Sequence, residues 1–399
     1  MRHLIISLLI LNLSNADNWP NWRGPQHNGI SLEKLPKADL SKIAWRAKIG
    51  VGFSSLAVVE GRVFSQGCTG KRRGNQETFT CLDAETGKKL WSDTYPAALV
   101  DNLHEGGPCA TPTVDGKRVY GFSKSGRLAC YDTATGKIYW TTDMMAKAEL
   151  PRPPEWGFAS SPLVLGDLLI VEATFTCALN KITGREVWRS QVYKPAYGSP
   201  VTFEFKGRTY LATLKTDGLV ILDATNGKTV AFQDWRTSFR TNSTTPIVIG
   251  NKIFLSTGYR RGCALFEFTG TAMRQIYSNK NMSNHMNNSV VLGGFVYGFD
   301  GNTHMAGPKE LVCLRLADGT VQWRKAGYRC GSLMAVQNHL LILSETGKLA
   351  LGSASPKGFK PIAEGQVLNG KCWTVPVLSN GRIFARNAAG DLVCVDARE

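Results

Sequence analysis

Nine polar or aromatic residues of the sequence are candidates for binding a ligand. They are His104, Trp156, Arg240, Asn242, His285, Asn287, Asn288, Arg329 and Trp373. Arginine and asparagine side chains donate hydrogen bonds to anionic or oxygen-rich groups, and indole and imidazole rings stack on flat ligands. The set therefore predicts a site for an anionic or carbohydrate-like ligand. A second interpretation is that these groups only satisfy one another and water around a polar channel.

The sequence offers no recognisable catalytic or metal-binding motif. His285 and His304 lie close in sequence, but their spacing matches no compact ligand motif and no acidic cluster accompanies them. No Gly-x-Ser-x-Gly elbow is present, and the recurrent Thr-Gly-Lys turns lack the earlier glycine of a phosphate-binding loop. We therefore predict no catalytic residue and no metal site. His104, His285 and Arg240 would be the reactive groups if the protein were instead a hydrolase or lyase acting on an anionic saccharide.

A repeat runs through the chain and predicts the elements that position these residues. Its clearest copies are the segments Cys81–Trp91 and Cys130–Trp140, which share the pattern Asp-x-x-Thr-Gly-Lys-x-x-Trp. The anchor position, which Asp occupies in the clear copies, recurs at residues 83, 132, 180, 223, 267, 315, 353 and 396. Spacings of roughly 40 to 50 residues are typical of a four-stranded propeller blade. Between anchors, pairs of short apolar strands flank a two-residue polar or glycine turn, which indicates a hairpin.

The fold class predicted from this repeat is all-β, an eight-bladed β-propeller of four-stranded antiparallel blades. The last copy stops at Asp396 without an outer strand, whereas the segment around Trp45 is an outer strand without a blade. Pairing the two would close the ring and remove exposed sheet edges. The candidate ligand residues precede inner strands, so they would meet at the mouth of the central channel. A seven-bladed ring is the alternative, because the copy near Ser353 is weak.

The ends of the chain and its charge suggest where the protein acts. Residues 1–16 read as a signal peptide, 17–41 as a lead-in segment and 42–399 as a single propeller domain. We predict a monomer without a transmembrane segment that is periplasmic or secreted. With 47 basic and 31 acidic residues the net charge is +16, which favours an acidic partner. Export and the scattered basic residues argue for a protein or an anionic glycan rather than nucleic acid.

The ten cysteines could form disulfides in an exported protein. Cys81, Cys130, Cys313 and Cys394, however, each stand two residues before an anchor, and equivalent positions of different blades are too far apart to bridge. We predict that these four are buried small apolar residues. Cys68 and Cys81 flank one hairpin and are the best candidate pair for a disulfide.

The Asp-x-x-Thr-Gly-Lys-x-x-Trp pattern resembles the tryptophan-docking motif of the pyrroloquinoline quinone (PQQ)-like propeller repeat family. That family includes quinoprotein alcohol dehydrogenases and an outer-membrane assembly lipoprotein. The lead-in Asn18–Ser31 and the segments Ser283–Ser289 and Lys371–Pro376 also resemble exported members from planctomycete-type bacteria. The resemblance implies the propeller fold but does not fix a function.

The family's enzymes carry features that this sequence lacks. They resemble one another in an adjacent-cysteine disulfide over the quinone, Ca²⁺ ligands and a catalytic Asp. This chain has no Cys-Cys pair and, apart from Asp101, no Asp in the predicted mouth loops. No cofactor is therefore predicted, and PQQ with calcium is the disfavoured alternative. The leading hypothesis is a non-catalytic binding or scaffold protein of the cell envelope. The alternatives are a reduced quinoprotein dehydrogenase, the hydrolase or lyase named above, and a purely structural envelope component.

Overall fold

A computed structural model describes residues 18–35, 39–69 and 75–398 of the chain. The predicted signal peptide at residues 1–16 lies outside the described residues. Within the described part, the strands form eight sheets; seven have four antiparallel strands, and the eighth has four antiparallel strands and one additional parallel strand. The predicted eight-bladed, all-β propeller is therefore confirmed, and the seven-bladed alternative is wrong. The weak copy near Ser353 forms a complete blade of its own.

The first two strands belong to blades that are completed much later in the chain, and blades 1 to 4 follow them. The first two are β1 (Ile30–Ser31) and β2 (Ile43–Lys48). Blade 1 contains β3 (Ala57–Val59), β4 (Arg62–Thr69), β5 (Gln76–Asp83) and β6 (Lys89–Pro96). Blade 2 contains β7 (Thr113–Asp115), β8 (Arg118–Phe122), β9 (Arg127–Asp132) and β10 (Ile138–Asp143), followed by the short helix α1 (Met144–Lys147). Blade 3 contains β11 (Leu163–Leu165), β12 (Leu168–Glu172), β13 (Thr176–Asn180) and β14 (Glu186–Arg189). Blade 4 contains β15 (Val201–Phe205), β16 (Arg208–Leu214), β17 (Gly218–Asp223) and β18 (Thr229–Asp234).

Blades 5 to 8 complete the ring. Blade 5 contains β19 (Ile247–Ile249), β20 (Lys252–Thr257), β21 (Gly262–Phe268) and β22 (Met273–Asn279). Blade 6 contains β23 (Val290–Leu292), β24 (Phe295–Asp300), β25 (Glu310–Arg315) and β26 (Val321–Lys325). Blade 7 contains β27 (Ser332–Val336), β28 (His339–Leu343), β29 (Lys348–Ser353) and β30 (Pro361–Gln366). Blade 8 contains β31 (Val377–Ser379), β32 (Arg382–Arg386) and β33 (Asp391–Asp396), with β2 as its outer strand.

The ring closes where the sequence predicted. Strand β2 pairs antiparallel with β33, and Trp45 lies opposite Cys394. The Nζ of Lys48 lies 2.6 Å from Oδ1 of Asp391 in the same pair of strands. One blade thus combines strands from both ends of the chain, and its fourth strand covers the edge that β33 would otherwise expose.

The anchor repeat forms tight turns that contact the neighbouring blade. In blade 2, Oδ1 of Asp132 accepts hydrogen bonds from the backbone N–H of Thr135 at 2.8 Å and of Ala134 at 3.0 Å. Gly136 then has φ of 73°, and a Cβ there would come within 2.6 Å of the Trp91 ring of blade 1. Glycine therefore meets two needs at this position, a left-handed backbone and room for a neighbouring indole.

Middle strands are buried on both faces because each blade packs between two others. The repeat cysteines Cys81, Cys130, Cys313 and Cys394 lie there and are fully buried, as predicted. Burial raises the pKa of each thiol to about 12. All ten cysteines are free.

The expected Cys68–Cys81 disulfide is wrong. In the β4–β5 ladder Cys68 lies opposite Glu77, whereas Cys81 lies opposite Phe64, farther along the strands. A disulfide needs the two residues to face one another at short range. The register of the hairpin therefore separates the two sulfur atoms.

The lead-in segment crosses the channel instead of packing outside the ring. Trp19 exchanges backbone hydrogen bonds with Val58 of blade 1, at 2.7 and 2.9 Å. Farther along, β1 pairs parallel with β27, the inner strand of blade 7. The Glu33 carboxylate then accepts hydrogen bonds from the β31–β32 turn of blade 8. Together with the hydrogen bond from Trp22 to Thr245, just before blade 5 on the far side of the ring, these contacts with blades 1, 7 and 8 hold the segment across the channel.

Candidate functional site

A cavity of about 160 Å³ lies in the central channel, where the segments that lead into the inner strands converge. Its lining residues are Trp22, Phe53, Leu103, His104, Cys109, Trp156, Ala159, Ser161, Tyr197, Ser199, Thr241, Ser243, Thr245, Tyr259, His285, Met286, His304, Trp373 and Thr374. Loops from around the whole ring contribute to it. Within the part of the chain that the structure describes, no Lys, Arg, Asp or Glu side chain lines it.

Eight rings form a continuous arc of contacts, which we call the aromatic arc, and all of them except Phe239 line this cavity. Its members, in order of contact, are Trp156, His104, Phe53, Trp373, His304, His285, Tyr259 and Phe239. Successive ring centroids are 5.5, 5.3, 5.0, 5.6, 5.6, 5.1 and 4.8 Å apart. Offset-stacked and edge-to-face contacts at these distances stabilise one another. The arc therefore provides a preformed wall of ring faces and edges.

The floor of the cavity comes from the lead-in segment. The indole N–H of Trp22 donates a hydrogen bond to Oγ1 of Thr245 at 2.9 Å, just before blade 5. The next residue, Arg23, is buried and donates to the carbonyl oxygen of Ser289 at 3.0 Å, before blade 6. These two bonds fix the indole across the channel below the arc. The mouth of the channel therefore leads into a pocket with a floor.

The imidazoles of the arc are neutral at physiological pH. Burial, together with nearby Lys124 and Lys371, lowers the pKa of His104 to about 3. Its Nδ1 accepts a hydrogen bond from the backbone N–H of Gly106 at 2.9 Å, which places the remaining proton on Nε2. Burial lowers the pKa of His285 to about 3 as well and also lowers that of His304. The wall of the cavity is consequently uncharged.

Two polar lining atoms are buried without a partner. Nε1 of Trp156 and Oγ1 of Thr241 have no hydrogen-bond partner among the described residues. A buried donor left unpaired costs about 1–3 kcal/mol. Both side chains line the cavity, so a ligand there could satisfy them.

Several loops around the mouth contain strained backbone. Non-glycine residues with left-handed φ include Val100 at 52°, Leu103 at 59°, Arg240 at 55°, Tyr259 at 59° and Arg329 at 53°. Such a conformation is unfavourable for side chains with a Cβ, and most of all for a β-branched residue such as Val100. Strained backbone of this kind clusters at binding sites, where the surrounding structure holds it in place.

Four of the nine residues predicted from the sequence line the cavity, namely His104, Trp156, His285 and Trp373. The indole N–H of Trp373 donates to Oε1 of Glu345 at 3.1 Å, which holds the ring in the arc. His285 lies between Thr303, at 3.0 Å from its Nδ1, and the Tyr259 hydroxyl, at 3.2 Å from its Nε2.

The three predicted asparagines connect loops behind the cavity wall. Nδ2 of Asn242 donates to backbone carbonyls, among them that of Lys215 at 2.8 Å. Asn288 exchanges hydrogen bonds with the backbone of Thr245, at 3.1 and 2.7 Å. The Asn287 amide donates to the carbonyl oxygen of Gly331. All three asparagines are buried.

The two predicted arginines do not line the cavity. Arg240 is exposed in its loop. Nε of Arg329 donates to Oε2 of Glu345 at 3.1 Å, and its side chain is 58% exposed. The guanidinium groups expected to hold an anionic ligand thus lie outside the pocket.

Five lining rings have no place in the predicted site, namely Trp22, Phe53, Tyr197, Tyr259 and His304. Trp22 belongs to the lead-in segment, whose position in the channel depends on contacts with distant blades. Tyr259 lies in the β20–β21 connection and His304 in the β24–β25 connection. Neither connection enters an inner strand, and the predicted site was based on loops that do. Phe53 lies in such a loop and precedes a pair of serines, a sequence that carries no functional signal.

The cavity does not suit a calcium-bound quinone with carboxylate substituents. Among the described lining residues there is no Lys or Arg to pair with carboxylates and no Asp or Glu to hold Ca²⁺. Within the described part of the chain, no group of three or more His, Cys, Asp and Glu side chains is placed to bind a metal. The residues present therefore do not fit this cofactor.

Comparison with known proteins places the chain among propellers of one family. A family model described as outer membrane protein assembly factor BamB matches residues 75–325. No curated protein sequence matches. No helix of the described residues is both long and apolar enough to cross a membrane.

Solved structures show the same fold at low sequence identity. BamB from Moraxella catarrhalis is 15% identical with a TM-score of 0.64, and the match covers 89% of this chain and 99% of that one. A quinohemoprotein alcohol dehydrogenase from Comamonas testosteroni is 13% identical with a TM-score of 0.66, covering 97% and 82%. A europium-containing methanol dehydrogenase is 11% identical with a TM-score of 0.68, covering 93% and 89%. Because the family model spans most of the blades, the chain belongs to the PQQ-like β-propeller family of the outer membrane protein assembly factor BamB.

Proposed function

We propose that this protein is a non-catalytic binding protein of the cell envelope, exported through residues 1–16, whose ligand enters the cavity at the channel mouth. The observation that carries the proposal is the aromatic arc above a floored pocket. A propeller that served only as a rigid spacer would have no need for eight rings in mutual contact around its channel. Concave, mostly apolar sites with a few polar groups are where proteins bind small ligands.

The arrangement of polar groups supports binding rather than catalysis. An acid–base pair needs a titratable group close to the reacting atom, oriented by a partner. His104 and His285 are separated in the arc by Phe53, Trp373 and His304, and their hydrogen-bond partners are a backbone amide and hydroxyl groups. Among the described residues, neither imidazole is hydrogen-bonded to a carboxylate that would raise its basicity, and the Arg240 side chain assigned to the same chemistry does not line the cavity.

Purified protein incubated with PQQ and Ca²⁺ tests this proposal against the quinoprotein alternative. We expect no rise in melting temperature, no quinone absorbance that stays with the protein after gel filtration, and no reduction of an artificial electron-acceptor dye with alcohols or sugars. Alcohol-dependent dye reduction would overturn the non-catalytic proposal. Export is checked separately by fractionating cells that express the full-length chain and a chain lacking residues 1–16.

The thiol of Cys109 gives a direct measure of cavity occupancy. Of the ten cysteines, all of which the structure describes, Cys109 alone is partly exposed, and it lines the cavity. Iodoacetamide should therefore modify Cys109 ahead of the nine buried thiols, and a bound ligand should slow that reaction. A Cys109→Ser variant supplies the background. If ligands that raise the melting temperature leave the alkylation rate of Cys109 unchanged, the binding site lies elsewhere.

A further inference from the structure

The geometry points to a neutral saccharide as the ligand of the cavity, an inference that rests on the proposed binding function and specifies its chemistry. A sugar ring presents C–H groups on its faces and hydroxyl groups around its edge. The cavity offers the complementary surface, with aromatic rings that cover flat apolar faces and polar groups that receive hydroxyls.

Charge is the first constraint on the ligand. Among the described residues, no Lys, Arg, Asp or Glu side chain lines the cavity, and the imidazoles of His104 and His285 are neutral far below pH 7. A carboxylate, phosphate or sulfate group would lose its hydration without gaining a Lys or Arg of the described lining as partner, and the nearby Nζ of Lys371 is already paired with Oε2 of Glu105 at 2.9 Å. A cationic ligand would likewise find no carboxylate among the described lining residues. An uncharged ligand avoids both costs.

The hydroxyl groups are the second constraint. Six Ser and Thr side chains and two Tyr side chains line the cavity together with the rings. A purely apolar ring would leave the buried Oγ1 of Thr241, which has no partner among the described residues, still unpaired, at about 1–3 kcal/mol. Most of the other lining hydroxyls already make one hydrogen bond within the protein, for example Oγ1 of Thr245 with Trp22 and Oγ of Ser243 with the carbonyl oxygen of His285. A polyhydroxylated ring can donate to and accept from several of them at once, because each hydroxyl group has one donor and two acceptor positions.

The unpartnered atoms indicate where such a ligand makes its hydrogen bonds. The buried Nε1 of Trp156 can only donate, so it requires an acceptor oxygen. The buried Oγ1 of Thr241 both donates and accepts, so it requires a hydroxyl group or an equivalent. Nε2 of His104, which carries the proton, is a further donor beside Trp156, since the two rings stack at 5.5 Å. The hydroxyl groups of one sugar ring can supply the acceptors and the donor that these three atoms require.

The floor limits how far the ligand extends. Because Trp22 lies across the channel, a chain cannot thread through the ring, and a cavity of about 160 Å³ has room for a single sugar ring. The pocket is therefore suited to a terminal sugar residue or a free monosaccharide. Residues beyond the first sugar would pass outward over the exposed side chains of Leu103 and Phe239, which are 71% and 65% exposed.

The test is a binding titration with a panel of neutral glycosides, namely methyl glucoside, methyl galactoside, methyl mannoside, cellobiose and maltose. Binding is followed by quenching or blue shift of tryptophan fluorescence and by protection of Cys109 from iodoacetamide. We expect at least one neutral glycoside to bind and to protect Cys109. Galacturonate and glucosamine, the charged counterparts, should bind about tenfold more weakly or not at all.

Two nearly isosteric substitutions test the hydrogen bonds without removing the cavity wall. Trp156→Phe keeps a ring but deletes the N–H donor, and Thr241→Val replaces the hydroxyl group with a methyl group. Each should weaken glycoside binding about tenfold, which corresponds to about 1.4 kcal/mol. Arg240→Ala is the matched control, because this arginine stands next to Thr241 but does not line the cavity, and it should leave the affinity unchanged.

The outcomes separate this inference from the proposed function. If no glycoside binds while indole, a hydrophobic peptide or another ligand protects Cys109, the saccharide inference is overturned and the binding function stands. If galacturonate binds best and Arg240→Ala abolishes its binding, the ligand is anionic and the charge argument is wrong. If a glycoside binds but Trp156→Phe and Thr241→Val leave its affinity unchanged, the cavity is not its site. Oxidation of a glycoside with PQQ and dye would overturn the non-catalytic function itself.

Discussion

Replacement of Arg386 by Met should destabilise the protein strongly, because this buried arginine connects the last blade to the first. Its guanidinium is fully buried at the end of β32. Nη1 donates to the carbonyl oxygens of Ser54 at 3.1 Å and Gln66 at 2.7 Å, and Nη2 donates to that of Gly50 at 2.9 Å. Burial lowers its pKa to about 9, so it remains charged at pH 7.

The size of the expected stability loss follows from the carbonyl oxygens that lose their hydrogen-bond donor. Met fills much of the arginine volume but donates no hydrogen bond, so three carbonyl oxygens lose a charged donor at once. Each unmet buried polar group costs about 1–3 kcal/mol. The burial of a charged group, which is itself unfavourable, disappears with the substitution and offsets part of this loss. We therefore expect the free energy of unfolding to fall by about 3 kcal/mol, at the low end of the range for three groups.

The assay is equilibrium unfolding in guanidinium chloride at pH 7, followed by tryptophan fluorescence. Arg398→Met is the control, since Arg398 pairs with Asp396 at the surface and is 40% exposed; exposed pairs contribute about 0–1 kcal/mol. Arg386→Lys keeps the charge but loses the planar donor fork, and it should also be destabilising. An Arg386→Met protein within about 0.5 kcal/mol of the wild type would refute the assignment of Arg386 as a connection between blades 8 and 1.

Three further predictions concern the repeat, a buried carboxyl group and the cavity floor. Gly136→Ala should lower the free energy of unfolding by about 1–3 kcal/mol, because its Cβ would overlap the Trp91 ring. Gly116→Ala is the control, since Gly116 also has positive φ but lies in open space, and it should lower stability less. Equal losses in thermal unfolding would mean that the ring contact is unimportant. Burial raises the pKa of Glu77 to about 7, so the unfolded state loses its proton near pH 4.5 while the folded state keeps it. Stability relative to Glu77→Gln should therefore fall between about pH 5 and pH 7, and a flat difference in unfolding free energy would contradict the raised pKa. Trp22→Ala should open the floor of the cavity, increase the rate of Cys109 alkylation and abolish ligand protection of that thiol; an unchanged alkylation rate would place the indole outside the site.

The repeat determined the architecture because its signals are local. An Asp or Asn followed by Thr-Gly sets a turn through hydrogen bonds within four residues, as at Asp132, and alternating apolar residues set the strands beside it. Counting these turns to both ends of the chain was enough to predict eight blades and their closure by β2 against β33. The disulfide proposed for Cys68 and Cys81 failed because strand register depends on pairing over the whole hairpin, which two cysteine positions do not reveal.

Residue types in the predicted mouth loops also located part of the site. His104, Trp156, His285 and Trp373 line the cavity, as their place before inner strands suggested. Whether a polar loop residue faces the cavity or braces the loop behind it was decided by tertiary packing. The asparagine amides donate hydrogen bonds to backbone carbonyls of neighbouring loops, for example Nδ2 of Asn242 to the carbonyl oxygen of Lys215. They do so because a buried backbone carbonyl needs a hydrogen-bond donor wherever the chain turns.

The sequence by itself therefore determined the ring, the number of blades and the region where loops converge, since all of these follow from short-range patterns repeated along the chain. The character of the pocket was decided only by tertiary structure. Trp22 reaches the channel floor through a hydrogen bond to Thr245, more than two hundred residues away, and Arg240 and Arg329 stand outside the cavity wall. Contacts between distant blades decide which side chains point into the channel. These contacts make the described lining of the pocket aromatic and uncharged.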